Sequence, residues 1–317
     1  MRFATYNLLD WTSYPAGGRE AERQRRVVQT IRAIDPDVIA VQEVKGSPGH
    51  VGVVVAELAA RTGLTATVGS VDGRDVPAVG VGDNTVHVAL LWREGLVPLP
   101  ETFRTFGPAV DHRHGWRGVG FGSLVRLAFQ VQGRPILFAS YHAPAFGRHR
   151  RIDQAEMALA AVTGPSLAAV VGSDFNSIGA ARVGGDYYDR DPYTGQPWFP
   201  ELVHQCREVT HPGTSHRADR RPAEVWEAGG LRDVAAVTGG PWKATTGHWP
   251  SSPFAVRGVR RRIDTIHATA SLLPAVGGFR VVDDEVTRSA SDHLPVVVDI
   301  DPTALSSSGE VGAVVGR

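Results

Sequence analysis

The chain has 317 residues, 42% of them hydrophobic and 21% charged, the proportions of an ordinary globular protein with a sizeable core. Its 33 Lys and Arg balance its 33 Asp and Glu, so no net field draws it toward nucleic acid or an acidic membrane, although local patches still could. Cys206 is the only cysteine, which excludes an internal disulfide and a zinc site built on thiolates. The first residues hold no apolar stretch of signal-peptide length, and no later run reaches the ~20 apolar residues of a membrane helix. A cytoplasmic enzyme is the expectation. Only Lys45 and Lys243 are lysines. Arginine suits bidentate capture of phosphate, but a G+C-rich genome gives the same bias and is the blander explanation.

Short apolar runs recur along the chain, each with the length and β-branched content of a buried strand. Phe3 to Tyr6 leads into Asn7. A helix follows over Glu20 to Ile34, with Val27, Val28, Ile31 and Ile34 at helical spacing and Asp35-Pro36 as its stop. Val38 to Val41 leads into Gln42-Glu43. Alternation over Thr85 to Leu91 and Leu124 to Val131 predicts antiparallel strands. Ile136 to Ala139 leads through Ser140-Tyr141 into His142. A second helix is predicted over Ile152 to Val162, with Ile152, Ala155, Leu159 and Val162 on one face. Leu167 to Val171 leads through Gly172-Ser173 into Asp174-Phe175-Asn176. Ile263 opens a run with Asp264 and Ile266, and Pro295 to Ile300 follows Ser291-Asp292-His293. Strands outnumber helices, so an α/β protein with mixed sheets is expected. Polar residues gather at the strand ends, where such folds place their sites.

Those polar residues form one chemical set. Glu43, Asp174, Asp264 and Asp292 are hard oxygen donors of the kind Mg²⁺ or Mn²⁺ prefers. Asn7 and Asn176 can orient a water or a phosphate oxygen without adding charge. His142 and His293 can move protons near neutral pH. No P-loop, Rossmann glycine fingerprint or nucleophile elbow is present. Each member alone has a blander explanation: Asn7 could close a turn, Asp174 to Asn176 could be an Asx turn, Asp264 could pair with a neighbouring arginine, and His293 could be a satisfied core histidine.

Six pieces in order carry a family resemblance: Thr5-Tyr6-Asn7, Val41-Gln42-Glu43, Tyr141-His142-Ala143-Pro144, Gly172-Ser173-Asp174-Phe175-Asn176, Arg262-Ile263-Asp264 and Ser291-Asp292-His293-Leu294-Pro295. On these the sequence resembles the endonuclease/exonuclease/phosphatase superfamily. The resemblance implies a four-layer sandwich, two mixed β-sheets face to face with helices outside, as one domain over residues 1–301. It also implies a phosphoesterase that attacks phosphorus with an activated water. Glu43 would then be the main ligand of Mg²⁺ or Mn²⁺, with Asn7 and Asp292 beside it. Asp174 would align and deprotonate the water, Asn176 would hold phosphate or that water, and Asp264 would orient His293. His293 would act as base or as stabiliser of the phosphorane. His142 would stand near the leaving group, a place Tyr141 could also fill. Ser173 replaces a common glycine, and Ala145 stands where abasic-site nucleases carry Asn.

Further expectations concern the remaining segments and the substrate. The Tyr-, Asp-, Pro- and Gly-rich stretch Gly184 to Pro200 is read as a surface loop that sets substrate choice. His112, His114, His204, His211, His216 and His248 are read as solvent-exposed loop residues, and the Arg148 to Arg151 and Arg257 to Arg262 clusters either guide phosphate or coat a solvated face. Residues 302–317 are read as a disordered tail. A phosphorylated small molecule or nucleotide is the preferred substrate, with no membrane partner. DNA is the main rival, and an inactive binding protein on the same fold is the rival from another class.

Overall fold

A computed structural model of the chain describes residues 1–13, 17–82, 86–107, 123–194, 204–207, 217–249 and 259–305. Thr85, His112, His114, His211, His216, Arg257, residues 195–200 of the expected loop and 306–317 of the expected tail lie outside them.

In chain order the strands begin with β1 (Arg2–Trp11), β2 (Val38–Lys45), β3 (Thr67–Val71), β4 (Arg74–Pro77) and β5 (Val79–Gly80). Next come β6 (Val86–Trp92), β7 (Val97–Phe106), β8 (Ser123–Val131), β9 (Arg134–His142) and β10 (Ala168–Asp174). The last six are β11 (Arg182–Val183), β12 (Asp186–Tyr187), β13 (Leu231–Asp233), β14 (Asp264–Thr269), β15 (Val276–Val281) and β16 (Val296–Ile300). The helices are α1 (Gly18–Ile34), α2 (Val51–Thr62), α3 (Arg148–Thr163), α4 (Arg221–Ala228), α5 (Val234–Val237) and α6 (Glu285–Ala290).

Twelve of the strands form two six-stranded mixed sheets. One runs β15-β16-β1-β2-β6-β5, the other β13-β14-β10-β9-β8-β7. Each has one parallel pair at its centre, β1 with β2 and β9 with β10, flanked by antiparallel neighbours. The inner core joins the two sheets: Phe3, Ala40 and Leu90 from the first pack with Leu127, Phe129, Phe138 and Val170 from the second. Phe3 and Phe129 flank Phe138 at 5.4 and 5.7 Å between ring centres. Alternate residues of the same strands face outward. Ala4, Tyr6, Ile39 and Val41 bury the apolar faces of α1 and α2, while Leu137, Ala139 and Val171 bury α3 and α4. Strands covered on both faces are apolar throughout. This is the expected four-layer sandwich.

Helix α1 ends where expected, with Asp35 in the left-handed region at φ 51° and its N–H donated to Ile31. Two details differ from the sequence reading. Helix α2 is additional to the elements expected from the sequence; Val53, Val54 and Val55 have strand propensity, which the packing of Val54, Val55 and Leu58 overrides. Helix α3 is rotated from the predicted face: Arg151, Gln154, Ala155, Ala158 and Val162 are buried, and Ile152 and Leu159 lie on its flanks. The chain also stays ordered past residue 301. Pro302–Ala304 form a turn of 3-10 helix, and Leu305 packs into the inner core.

Candidate active site

Both sheets end at one cleft, and local backbone irregularity aims the side chains into it. In β1 the pairing slips between Asn7 and Trp11, and in β2 between Val41 and Val44. Leu9, Asp10 and Glu43 all adopt positive φ, 59° at Glu43. A bulge of this kind re-aims a side chain at the cost of local strain. In the second sheet no bulge is needed. His142 and Asp264 lie directly opposite Asp174 on either side, so three titratable groups stand in register across β9, β10 and β14. Gly172 lets the sheets approach closely here, since a Cβ on it would sit 2.6 Å from the Cβ of Thr5. Its neighbour Ser173 is fully buried but satisfied, 3.0 Å from Thr265 Oγ1, so the departure from glycine is accommodated.

The two sheets exchange hydrogen bonds at the cleft. Asn7 Nδ2 donates to Glu43 Oε1 and to Asp174 Oδ2, both at 2.9 Å. Its Oδ1 accepts the Leu9 N–H at 3.0 Å, so Asn7 stands beside Glu43 as a donor linking two carboxylates. Asp174 Oδ1 accepts the Asn176 N–H at 3.1 Å, and Asn176 Nδ2 donates to Ala143 O at 3.0 Å. His293 Nδ1 lies 2.9 and 2.8 Å from the two oxygens of Asp264, which places its proton on Nδ1 and turns Nε2 toward Asp174, 3.9 Å away. His142 Nε2 is 3.4 Å from Asp174 Oδ2.

Burial would push the Asp174 carboxyl up, but the charge of His293 and the hydrogen bond from His142 outweigh it and hold the group at about 2. Burial works against protonation of both imidazoles as well. For His293 the charges of Asp264 and Asp174 win and raise it well above its ordinary value; for His142, Asp174 and then Glu43 raise it. An ionised carboxylate therefore lies between two imidazoles that favour their charged form.

Glu43, His142, Asp174, Asn176, Asp292 and His293 line one cavity of about 200 Å³, with Asn7 and Asp264 behind it. Tyr141 does not share in it. Its ring is fully buried between Phe175 and Trp226 on the helix side of the sheet, which leaves the place at the cavity to His142. A divalent cation fits the donors present. Ligand atoms of Glu43, His142 and Asp174 lie within 4.8 Å of one another, as do those of Asp174, Asp264 and His293. Asp292 belongs to neither group, but its Oδ1 is buried without a partner, as expected of an oxygen kept for a cation.

Several expectations are corrected here. His204 and His248 are not solvent-exposed: His204 lines the cavity with its ring 4.8 Å from that of Phe146, and His248 Nε2 contacts Ser291 O at 3.0 Å. Arg151 and Arg262 neither guide phosphate nor coat a surface. Arg151 is buried and donates to Pro144 O and Ala145 O, pinning the turn behind His142. Arg262 is buried against Asp189 and Asp233, not Asp264. The described part of the Gly184 to Pro200 loop does not line the active-site cavity. Asp186 to Asp191 and Thr194 line a separate cleft of about 810 Å³. The loop reaches the cavity wall through Tyr193, whose OH donates to Gln205 Oε1 at 2.5 Å and which packs in one buried cluster with Ile263. Arg261, from the second arginine cluster, does line the cavity; sequence reasoning missed Gln205 and Thr245, whose Oγ1 accepts the N–H groups of Ile263 and Asp264 at 3.1 Å each. Only the polarity of Thr245-Thr246 hinted at Thr245.

Paired sheets that bring carboxylates, amides and imidazoles to one edge define a class of metal-site phosphoesterase folds. The chain belongs to the endonuclease/exonuclease/phosphatase family, whose model matches residues 14–293. Members of that family are hydrolases of phosphoester bonds. Among similar solved structures, an endonuclease/exonuclease/phosphatase from Beutenbergia cavernae DSM 12333 is 21% identical, with a TM-score of 0.51 over 95% of this chain and 71% of that one. An AP endonuclease from Archaeoglobus fulgidus is 16% identical, with a TM-score of 0.56 over 95% and 99% of the two chains. Truncated TDP2 from Caenorhabditis elegans is 13% identical, with a TM-score of 0.53 over 95% and 96%. At these identities the shared property is the fold. No curated protein matches the sequence. Among the described residues no helix is long and apolar enough to cross a membrane.

Proposed function

We propose that the protein hydrolyses a phosphate ester of a small molecule or nucleotide, with Mg²⁺ or Mn²⁺ held by Glu43 and Asp292 beside Asn7. The observation that carries this reading is the meeting of Asp174, Asp264–His293 and Glu43 from opposite sheets at one cavity. When bound, the cation supplies Lewis-acid stabilisation of charge on a phosphoryl oxygen. Asp174, fixed by Asn7 and Asn176, aligns the attacking water and accepts its hydrogen bond. Asp264 holds one proton on His293 Nδ1, and the charges of Asp264 and Asp174 favour the imidazolium, so a second proton on Nε2 can be donated to the oxygen that gains charge at phosphorus. It is the favoured imidazolium, not the Nδ1 bond alone, that supports His293 as stabiliser over base. His142 donates toward the leaving-group oxygen, and Asn176 holds the turn that faces it.

The neutral net charge, the two lysines and the small cavity favour a small substrate over long duplex DNA, which presents a negative charge about every 1.7 Å. The likeness to an AP endonuclease is what favours the DNA reading. The two separate on one plate. With Mg²⁺, the small-substrate reading expects turnover of bis(4-nitrophenyl) phosphate or of a nucleotide ester, abolished in Glu43→Ala. Nicking of plasmid DNA at nanomolar enzyme, steeply lost as salt rises and absent in Glu43→Ala, would replace it with the nuclease reading.

A further inference from the structure

One wall of the cavity carries a cation with no carboxylate against it. Arg261 is only 6% exposed and lines the cavity with Gln205, Thr246, Asp292 and His293. Its Nη1 donates to Gln205 Oε1 at 2.6 Å, an oxygen that already accepts the Tyr193 hydroxyl. Its Nε is buried without a partner. Among the described residues no ion pair joins Arg261 to an acidic group, whereas its neighbour Arg262 binds two. The backbone beneath it is fixed, because Thr245 and Thr246 both donate their N–H groups to Arg261 O, at 2.8 and 3.0 Å. A guanidinium is a planar fork of donors that matches a phosphate two bonds at a time. Burying one half-bonded is costly, and an arriving anion relieves that cost.

Any anion that reaches Arg261 shares the cavity with the scissile phosphate. At about 200 Å³ the space is smaller than the ~300–1,000 Å³ of pockets that enclose a whole ligand. Only the phosphoryl end and the group directly beside it fit. We propose that Arg261 is a specificity-determining residue that binds a second phosphate of the substrate, adjacent to the one being cleaved; this rests on the phosphoesterase reading above. The second phosphate comes either from the next nucleotide of a strand or from a bisphosphorylated small molecule, and the chemistry recognised is the same. The competing role is charge balance: an arginine that merely offsets Asp292 and Asp264 would affect every phosphate substrate alike.

The test compares wild type, Arg261→Gln and Arg261→Lys with Mg²⁺ on two substrates. One is the 4-nitrophenyl ester of thymidine monophosphate, the other the same ester with a second phosphate on its sugar. Methylphosphonate and methylenebisphosphonate are measured as inhibitors alongside. Wild type should prefer the doubly phosphorylated ester in kcat/KM by about tenfold to a hundredfold, the strength of a hydrogen bond to a charged group. Arg261→Gln should lose that preference through KM, and Arg261→Lys should keep part of it. If methylenebisphosphonate also inhibits wild type more tightly than methylphosphonate, the small bisphosphorylated source is supported; a gap confined to the nucleotide pair supports the strand. Should Arg261→Gln fail to fold, wild type against Arg261→Lys supplies the comparison. Equal losses on both esters, or no preference in wild type, would overturn the inference while leaving the phosphoesterase reading intact. No turnover of any ester by wild type would sink both.

Discussion

The protein buries two cationic side chains between pairs of carboxylates, Arg262 just before β14 and His293 against Asp264 at the first position of β14, and the two arrangements differ in how completely they are satisfied. Arg262 is spent. Its Nε and Nη2 hold Asp189 at 2.9 and 2.5 Å, Nη1 and Nη2 hold Asp233, and the Tyr188 ring covers it at 4.9 Å. Trp242 Nε1 adds a bond to Asp189 at 2.8 Å. None of these groups lines the active-site cavity. His293 also lies between two carboxylates, Asp264 and Asp174, but only Nδ1 is committed, and Nε2 faces the cavity. A fully bonded buried ion cluster orders the chain around it, here tying the 180s loop and β13 to the strand that bears Asp264. A cluster left one bond short is able to exchange a proton with something else. Arg262 and Asp264, two positions apart, thus belong to different clusters, one a scaffold and one open to the cavity.

The largest effects should come from breaking the reactive member. His293→Ala and Asp264→Asn should each lower kcat by about 10²–10⁴-fold, the usual share of a positioned acid or base, with the fold retained. The double variant should be barely worse than either alone, because the pair acts as a unit. Losses that multiply would mean the two residues act separately.

The scaffold member should fail in the opposite way. Arg262→Met leaves Asp189 and Asp233 buried without their cation and should cost about 3–5 kcal/mol in denaturant unfolding. Turnover per folded molecule should fall far less than in His293→Ala. Gly179→Ala tests the same cluster more gently, since its Cβ would meet Asp189 Oδ2 at 2.2 Å; about 1–3 kcal/mol is expected. An Arg262→Met protein that unfolds like wild type but is inactive would reverse the assignment of the two clusters.

Much of the cluster at the cavity was legible in the sequence, for a physical reason. Asn7, Glu43, His142, Asp174 and His293 each adjoin a run buried on both faces, so an abrupt polar residue marks a strand end and needs a purpose. Asp264 opens such a run. The scaffold cluster was not legible. Asp189, Asp233 and Arg262 belong to unrelated stretches, and nothing periodic links them; only the fold brings them together. The same holds for Gln205 and Arg261, which meet across 56 positions. Helix α3 misled for a related reason. Arg151 and Gln154 read as surface residues, yet they are buried, and Arg151 is held there by loop carbonyls that have no signature of their own.

The account depends most on the oxygen-lined end of the cavity being a cation site that serves phosphate-ester hydrolysis. The direct measurement follows release of 4-nitrophenol from bis(4-nitrophenyl) phosphate by purified protein in excess EDTA, then after Mg²⁺ or Mn²⁺ is restored, for wild type and Glu43→Ala. The account predicts no turnover in EDTA, recovery in wild type with either cation, and no recovery in Glu43→Ala at the same concentrations. Full turnover in EDTA, or a Glu43→Ala protein that recovers as wild type does, would contradict it.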